Sequence, residues 1–250
     1  MLFHEKVAGL FTFRIKTSDA HVRRYPVIMP SFFQHLSWGP LRTAMRLFCS
    51  FEIKGIENVI GLKGGVIIAS NHISELDPLL ISACLPFFSK HLPLFYVSRE
   101  KSFYKKSWRS FLLYGGTFFR MMGAYPAYTG LNDYRQALRH HIELIHQGKD
   151  AVIFPMGKKY LQREPSKAKG GVAFLARETQ SPVVPVLIQG IENFSFAAFL
   201  SRKRKLTITF GKPLSSKDIF ETVERAVADS ERNDCEKAAS VLMEKIFQLA

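Results

Sequence analysis

Apolar residues in this chain follow two rhythms. Short unbroken runs, Val66-Ile67-Ile68-Ala69 and Val183-Val184-Pro185-Val186-Leu187-Ile188, have the length and β-branched content of strands covered on both faces. Runs at 94–98, 151–154 and 206–210 read as further strands. Between these runs the apolar positions change to a spacing of three and four. Across residues 132–147, Tyr134, Leu138, Ile142 and Ile145 share one helical face, with Asn132 placed to cap and Gly148 to stop the helix. Residues 78–85, residues 171–179 and the tail from about 217 are also predicted to be helical. The alternation predicts an α/β fold: a single domain with a mostly parallel mixed sheet flanked by helices. Its functional loops are expected beyond the carboxyl ends of the strands.

The first 50 residues break the alternation and concentrate aromatic and basic side chains. They are expected to form an N-terminal amphipathic helical segment that associates with membrane (1–50), ahead of the α/β domain (51–250). Within it, Phe32, Phe33 and Trp38 lie near Arg42 and Arg46, a pattern suited to the headgroup region of a bilayer or to packing on the domain itself. A second such stretch spans 104–114 and holds Trp108 and Arg109.

Charge sharpens this picture. With 35 Lys and Arg against 21 Asp and Glu, the formal charge is +14, so the chain is drawn to anionic surfaces, of which lipid and nucleic acid are the common kinds. The 22 phenylalanines, 8 tyrosines and 2 tryptophans tilt the choice to a membrane surface, and no recognisable nucleic-acid motif organises the basic residues. No stretch reaches roughly 18 uninterrupted apolar residues, so peripheral or monotopic attachment at the cytoplasmic face of a membrane is expected rather than a span. Cys49, Cys84 and Cys235 are widely spaced and odd in number, which fits a reducing compartment and suggests neither a disulfide framework nor a metal site.

The candidate chemistry lies directly after the first strand, in Asn71-His72-Ile73-Ser74-Glu75-Leu76-Asp77. Imidazole exchanges a proton near neutral pH, and a base working through one ring nitrogen needs a fixed acceptor on the other. His72 is a candidate base and Asp77 its orienter. Two other readings stand beside this one: Asp77 before Pro78 is also a helix start, and a lone histidine is often structural. No Gly-x-Ser-x-Gly elbow is present and no cysteine lies in a segment typical of a nucleophile, so no segment advertises a covalent nucleophile.

His72 through Asp77 resembles the histidine, four residues, aspartate motif of the glycerolipid acyltransferases related to 1-acylglycerol-3-phosphate acyltransferase. Val97-Ser98-Arg99-Glu100 resembles that family's basic segment after the second strand. Val152-Ile153-Phe154-Pro155-Met156-Gly157-Lys158-Lys159 is similar to its Phe-Pro-Glu-Gly-Thr-Arg block, Val184-Pro185-Val186 to its late strand, and Phe210-Gly211-Lys212-Pro213-Leu214 to the strand and turn that follow. Two positions depart: Met156 stands where the family has Glu, and Gly123 to Thr129 carries no Arg. The resemblance implies attack of a lysophospholipid hydroxyl on an acyl-CoA or acyl carrier protein thioester. In that scheme His72 and Asp77 are catalytic and Arg99, Gly157, Lys158 and Lys159 hold acceptor phosphate. No cofactor beyond the thioester co-substrate and no metal is implied. The alternative is a membrane-associated lipid-binding protein without turnover, or an acyltransferase for a different glycerolipid.

Overall fold

A computed structural model describes residues 26–98, 117–128, 131, 133–157, 168–191, 204–221 and 231–250. Helix α1 (Ile28–Phe48) runs directly into strand β1 (Cys49–Lys54), followed by α2 (Glu57–Ile60), β2 (Ile67–Ser70), α3 (Asp77–Cys84) and β3 (Phe95–Ser98). Then come α4 (Thr117–Met121), β4 (Ala124–Pro126), α5 (Tyr134–Ala137), α6 (Arg139–His146), β5 (Ala151–Ile153) and α7 (Gly171–Thr179). The chain closes with β6 (Val183–Gln189), β7 (Arg204–Phe210), α8 (Ser216–Phe220) and α9 (Glu231–Phe247).

The strands form one mixed sheet in the order β1-β7-β6-β2-β5-β3-β4. Among the described residues, β6 and β7 run antiparallel and every other neighbouring pair is parallel. Strand β2 is central: Ile68 lies opposite Val152 of β5 and Val184 of β6. Because side chains alternate across a strand, Ile67 and Ala69 enter the core under α6, α7 and α9. Val66 and Ile68 enter the core under α1 and α3 on the other face. Burial on both sides explains the continuous apolar runs.

Several expectations need correction. The helix expected over 132–147 is two helices, broken at Leu138, whose φ of −109° and ψ of 14° leave the helical region. Asp133 caps the first, its carboxylate accepting the Arg135 N–H at 2.7 Å, while Asn132 lies outside the described residues. Strand β1 was not expected; Phe51 and Ile53 alternate with exposed Ser50 and Lys54 over only six residues, straddling the boundary placed at 50. Strand β4 has three residues, too few to show a period. The helix expected from about 217 agrees with α8, which starts at Ser216 behind the N-cap Ser215, whose side chain forms a reciprocal capping box with Asp218.

At the amino ends of β2 and β5 a buried polar pin ties the sheet together. Asp150 Oδ1 accepts the Gly65 and Val66 N–H groups, both at 2.8 Å, and Oδ2 lies 2.5 Å from His91 Nδ1. Both side chains are essentially inaccessible to solvent.

Candidate active site

The site begins at the carboxyl end of β2. Asn71, buried, continues the strand with its side chain: its Nδ2 donates to the Ile188 carbonyl and its Oδ1 accepts the Ile188 N–H, each at 2.8 Å. The amide thereby imitates a peptide group and ties the backbone entering His72 to β6. Tyr96 of β3 donates through its hydroxyl to the Pro78 carbonyl at 3.1 Å, which holds the first turn of α3 from the other side.

Between these two ties, the chain turns so that Asp77, the first residue of α3, points back at the loop rather than along its own helix. Asp77 Oδ2 accepts the Ile73 N–H at 2.7 Å and the Ser74 N–H at 2.8 Å, and lies 2.7 Å from His72 Nδ1. Leu76 occupies the position before the helix and no side chain caps it. The carboxylate is completely buried and the imidazole about 20% exposed. A carboxylate only accepts, so Nδ1 carries the hydrogen and Nε2 is the nitrogen with a lone pair to offer. Phe154, just past the end of β5, stacks on the imidazole at 4.4 Å between ring centres. Ring plane and tautomer are therefore set from two directions. The second carboxylate oxygen, Oδ1, is buried with no partner among the described residues.

The segment after β5 is partly described. Met156 is buried among core side chains of the α7 face. Gly157 has a φ of +61°, and a Cβ there would lie 3.2 to 3.3 Å from the end of the Lys169 side chain. That approach leaves Lys169, itself fixed by its N–H donating to the Pro155 carbonyl at 2.8 Å, as a cation beside the turn. Arg99, Lys158 and Lys159 lie outside the described residues, as do Trp108 and Arg109. The segment from Gly123 lacks an arginine of its own, yet Tyr128 has the Arg139 guanidinium over its ring, 4.6 Å from the centroid, and accepts an Arg139 hydrogen bond at 3.0 Å. Its hydroxyl also lies 3.1 Å from His140 Nε2. Among the described residues no cluster of three His, Cys, Asp or Glu side chains is placed to hold a metal ion.

The side chains expected at a membrane are divided by the fold. Phe32 is exposed, with Phe33 edge-on to it at 5.3 Å, whereas Trp38 and Arg42 turn toward α3. Trp38 Nε1 donates to the Leu85 carbonyl at 2.8 Å and Arg42 donates to the Ala83 carbonyl at 3.1 Å. Arg46 is exposed one turn further on. No described helix is long and apolar enough to cross a membrane.

Sequence reasoning named His72 and Asp77 and missed the parts that hold them. Asn71 signals itself only as a polar residue at the end of a buried strand, and Phe154 only as an aromatic residue at the end of another. The Tyr128 and Arg139 contact joins residues eleven positions apart and leaves no local signal.

A buried carboxylate holding one imidazole nitrogen, with the other turned outward at the carboxyl end of a central strand, suits acid and base chemistry without a covalent intermediate. Residues 50–189 match the model of the family described as Acyltransferase, and the chain belongs to that family. It is an acyltransferase. Among its relatives, a probable 1-acyl-sn-glycerol-3-phosphate acyltransferase of Mycoplasma pneumoniae is 23% identical over 193 residues, covering 74% of this chain and 68% of that protein. The fold resembles the crystal structure of the 1-acyl-sn-glycerophosphate (LPA) acyltransferase PlsC from Thermotoga maritima. The TM-score is 0.55 and the identity 18%, over 88% of this chain and 79% of that one.

Proposed function

We propose that the protein moves a fatty acyl group from the thioester of acyl-CoA or acyl carrier protein to the free hydroxyl of a lysophospholipid, 1-acyl-sn-glycerol-3-phosphate being the favoured acceptor. The observation that carries the reading is the His72 and Asp77 pair on a loop anchored by Asn71 and Tyr96. In this mechanism His72 Nε2 removes the hydroxyl proton as the oxygen attacks the thioester carbonyl. Asp77 stabilises the imidazolium that forms. The C–S bond breaks, the imidazolium returns its proton to the leaving thiolate, and an ester and a free thiol result. Lys169 and Arg139, with Arg99, Lys158 and Lys159, supply cations for the acceptor phosphate and the donor's phosphates. The acceptor named for both relatives supports the phosphate-bearing choice.

The reaction is placed at the cytoplasmic face of a membrane, with the protein attached peripherally. Supporting this are the exposed apolar side chains of α1, Ile28 at 82%, Met29, Phe32 and Leu36, and those of Phe87 and Phe88, the latter at 93%, after α3. So does the net charge of +14.

Thioester consumption with acyl-CoA and acyl carrier protein donors against a panel of lysolipids, in native protein and His72→Ala, tests the proposal. Native turnover with lysophosphatidate that disappears in the variant is expected. Turnover of the variant near the native level refutes the base, and turnover with another acceptor alone refutes the lysophosphatidate choice.

A further inference from the structure

At the far end of α3 from His72, a cavity of about 390 Å³ opens between α1, β1 and the residues after α3. Trp38, Phe87, Ile53 and Ile56 make its apolar walls, and Arg42 and Arg46 are its cations. The plain account of Arg42 is that it caps α3, since its guanidinium donates to the Ala83 carbonyl at 3.1 Å and more weakly to Leu85 at 3.5 Å. The guanidinium also lies over the Trp38 ring, 4.9 Å from its centroid. These contacts leave one observation over. Arg46 sits beside Arg42, and neither arginine has an acidic partner among the described residues. Burial first, and then the Arg46 charge, hold the Arg42 guanidinium below its ordinary pKa. Two like charges facing an apolar cavity are an arrangement that an anion relieves.

The cavity also adjoins the exposed aromatic surface. Phe87 stacks edge-on with Trp38 at 5.4 Å on one side and with Phe88 at 4.9 Å on the other, so an apolar path leads from the cavity wall to the exposed Phe88 ring. Phosphate next to two arginines with hydrocarbon next to Phe87 and Phe88 is the layout of an anionic phospholipid at a bilayer surface.

We propose that this cavity binds the phosphate of an anionic phospholipid that is not the acceptor, Arg42 and Arg46 holding the headgroup while the acyl chains lie along Phe87 and Phe88. The site lies apart from His72 and gives the protein a lipid anchor with a fixed attitude on the membrane. The inference rests on the membrane reading only for where the lipid comes from, and its test uses neither a bilayer nor turnover.

The chain has two tryptophans, so Trp108→Phe leaves Trp38, in the cavity wall, as the fluorescent reporter. Dihexanoyl phosphatidylglycerol is titrated below its micelle concentration into this protein, alongside dihexanoyl phosphatidylcholine and inorganic phosphate. Saturable change with phosphatidylglycerol is expected. It should persist in His72→Ala and weaken by about tenfold or more in Arg46→Gln, a change at an exposed side chain. No saturable change, equal affinity in Arg46→Gln, or loss in His72→Ala each overturns the proposal. Equal affinity for inorganic phosphate or for phosphatidylcholine overturns the choice of an anionic lipid.

Discussion

Replacing Asp77 by asparagine separates the charge of the carboxylate from its shape. Oδ2 takes three donors, Ile73 N–H, Ser74 N–H and the His72 ring, and an amide oxygen in the same place can accept all three. What the asparagine cannot do is carry the negative charge opposite the imidazolium that the proposed mechanism forms. At an effective dielectric near 20, unit charges 4 Å apart attract by about 4 kcal/mol, or about 10³ in rate. The imidazole is about one-fifth exposed, which screens part of this. The expected fall in kcat is therefore about 10²- to 10³-fold, with the melting temperature changed by only a few degrees. Asp77→Ala should differ in kind: it strips the acceptor from two backbone N–H groups and costs about 1–3 kcal/mol for each that stays buried. Initial rates of thiol release from acyl-CoA, with thermal unfolding of the same preparations, read both effects. An Asp77→Asn protein whose kcat stays within about threefold of native would refute the argument that the carboxylate acts by its charge.

Three further outcomes follow from other buried groups. His141, fully buried, is pushed down from 6.5 to about 4, by desolvation first, against a raising bond to the Tyr96 carbonyl. The unfolded chain then binds the extra proton as pH falls from 6.5 toward 4, so stability is complete above that window and drops through it by about 3 kcal/mol. Urea unfolding across the window should show this loss in native protein and not in His141→Leu; parallel curves would contradict it. Asp150→Ala removes the acceptor of Gly65, Val66 and His91 together. It should lower stability by about 3–5 kcal/mol, seen as a melting temperature lower by roughly 10 °C, and a drop of no more than a degree or two would show that the pin is idle. Met156→Glu places a carboxylate in the α7 core, with an expected cost of about 2–4 kcal/mol and no gain in turnover. A variant that is both as stable and faster would mean that Met156 opens toward the substrate.

Much of this organisation was written in short-range pattern. The buried runs of β2 and β6 and the helices α3 and α7 each declare themselves within about ten residues, because burial on one face imposes a period and burial on both leaves an unbroken apolar run. His72 and Asp77 were legible for the same reason, being five positions apart on one turn. What stayed hidden depends on contacts between distant segments. Leu138 breaks a helix whose apolar spacing runs straight through it, and β1 becomes a strand by pairing with β7 some 150 residues later. The choice between Asp77 as a cap and Asp77 as an orienter is a matter of direction. The same Asp-Pro pair serves either use, and only the course of the preceding loop, tied by Asn71 to β6, turns the carboxylate toward His72.

The two ends of α3 carry opposite charges in the sense that its own dipole favours, Asp77 at the amino end and the Arg42 guanidinium at the carboxyl end. Between them Leu80 and Ile81 are wholly buried, so the helix is fixed in the core. Eight residues at 1.5 Å each make it about 12 Å long. A lipid phosphate beside Arg42 and a reacting hydroxyl beside His72 would thus be held a fixed distance apart by one rigid element. The contact of α1 with α3 sets the exposed aromatic surface in the same frame, because Trp38 and Arg42 bind α3 while Phe32 and Leu36 face outward from the same helix. On the proposed membrane reading, docking of that surface on a bilayer would orient the imidazole, and a substitution that loosened α1 from α3 would blur the membrane attitude and the reaction geometry together.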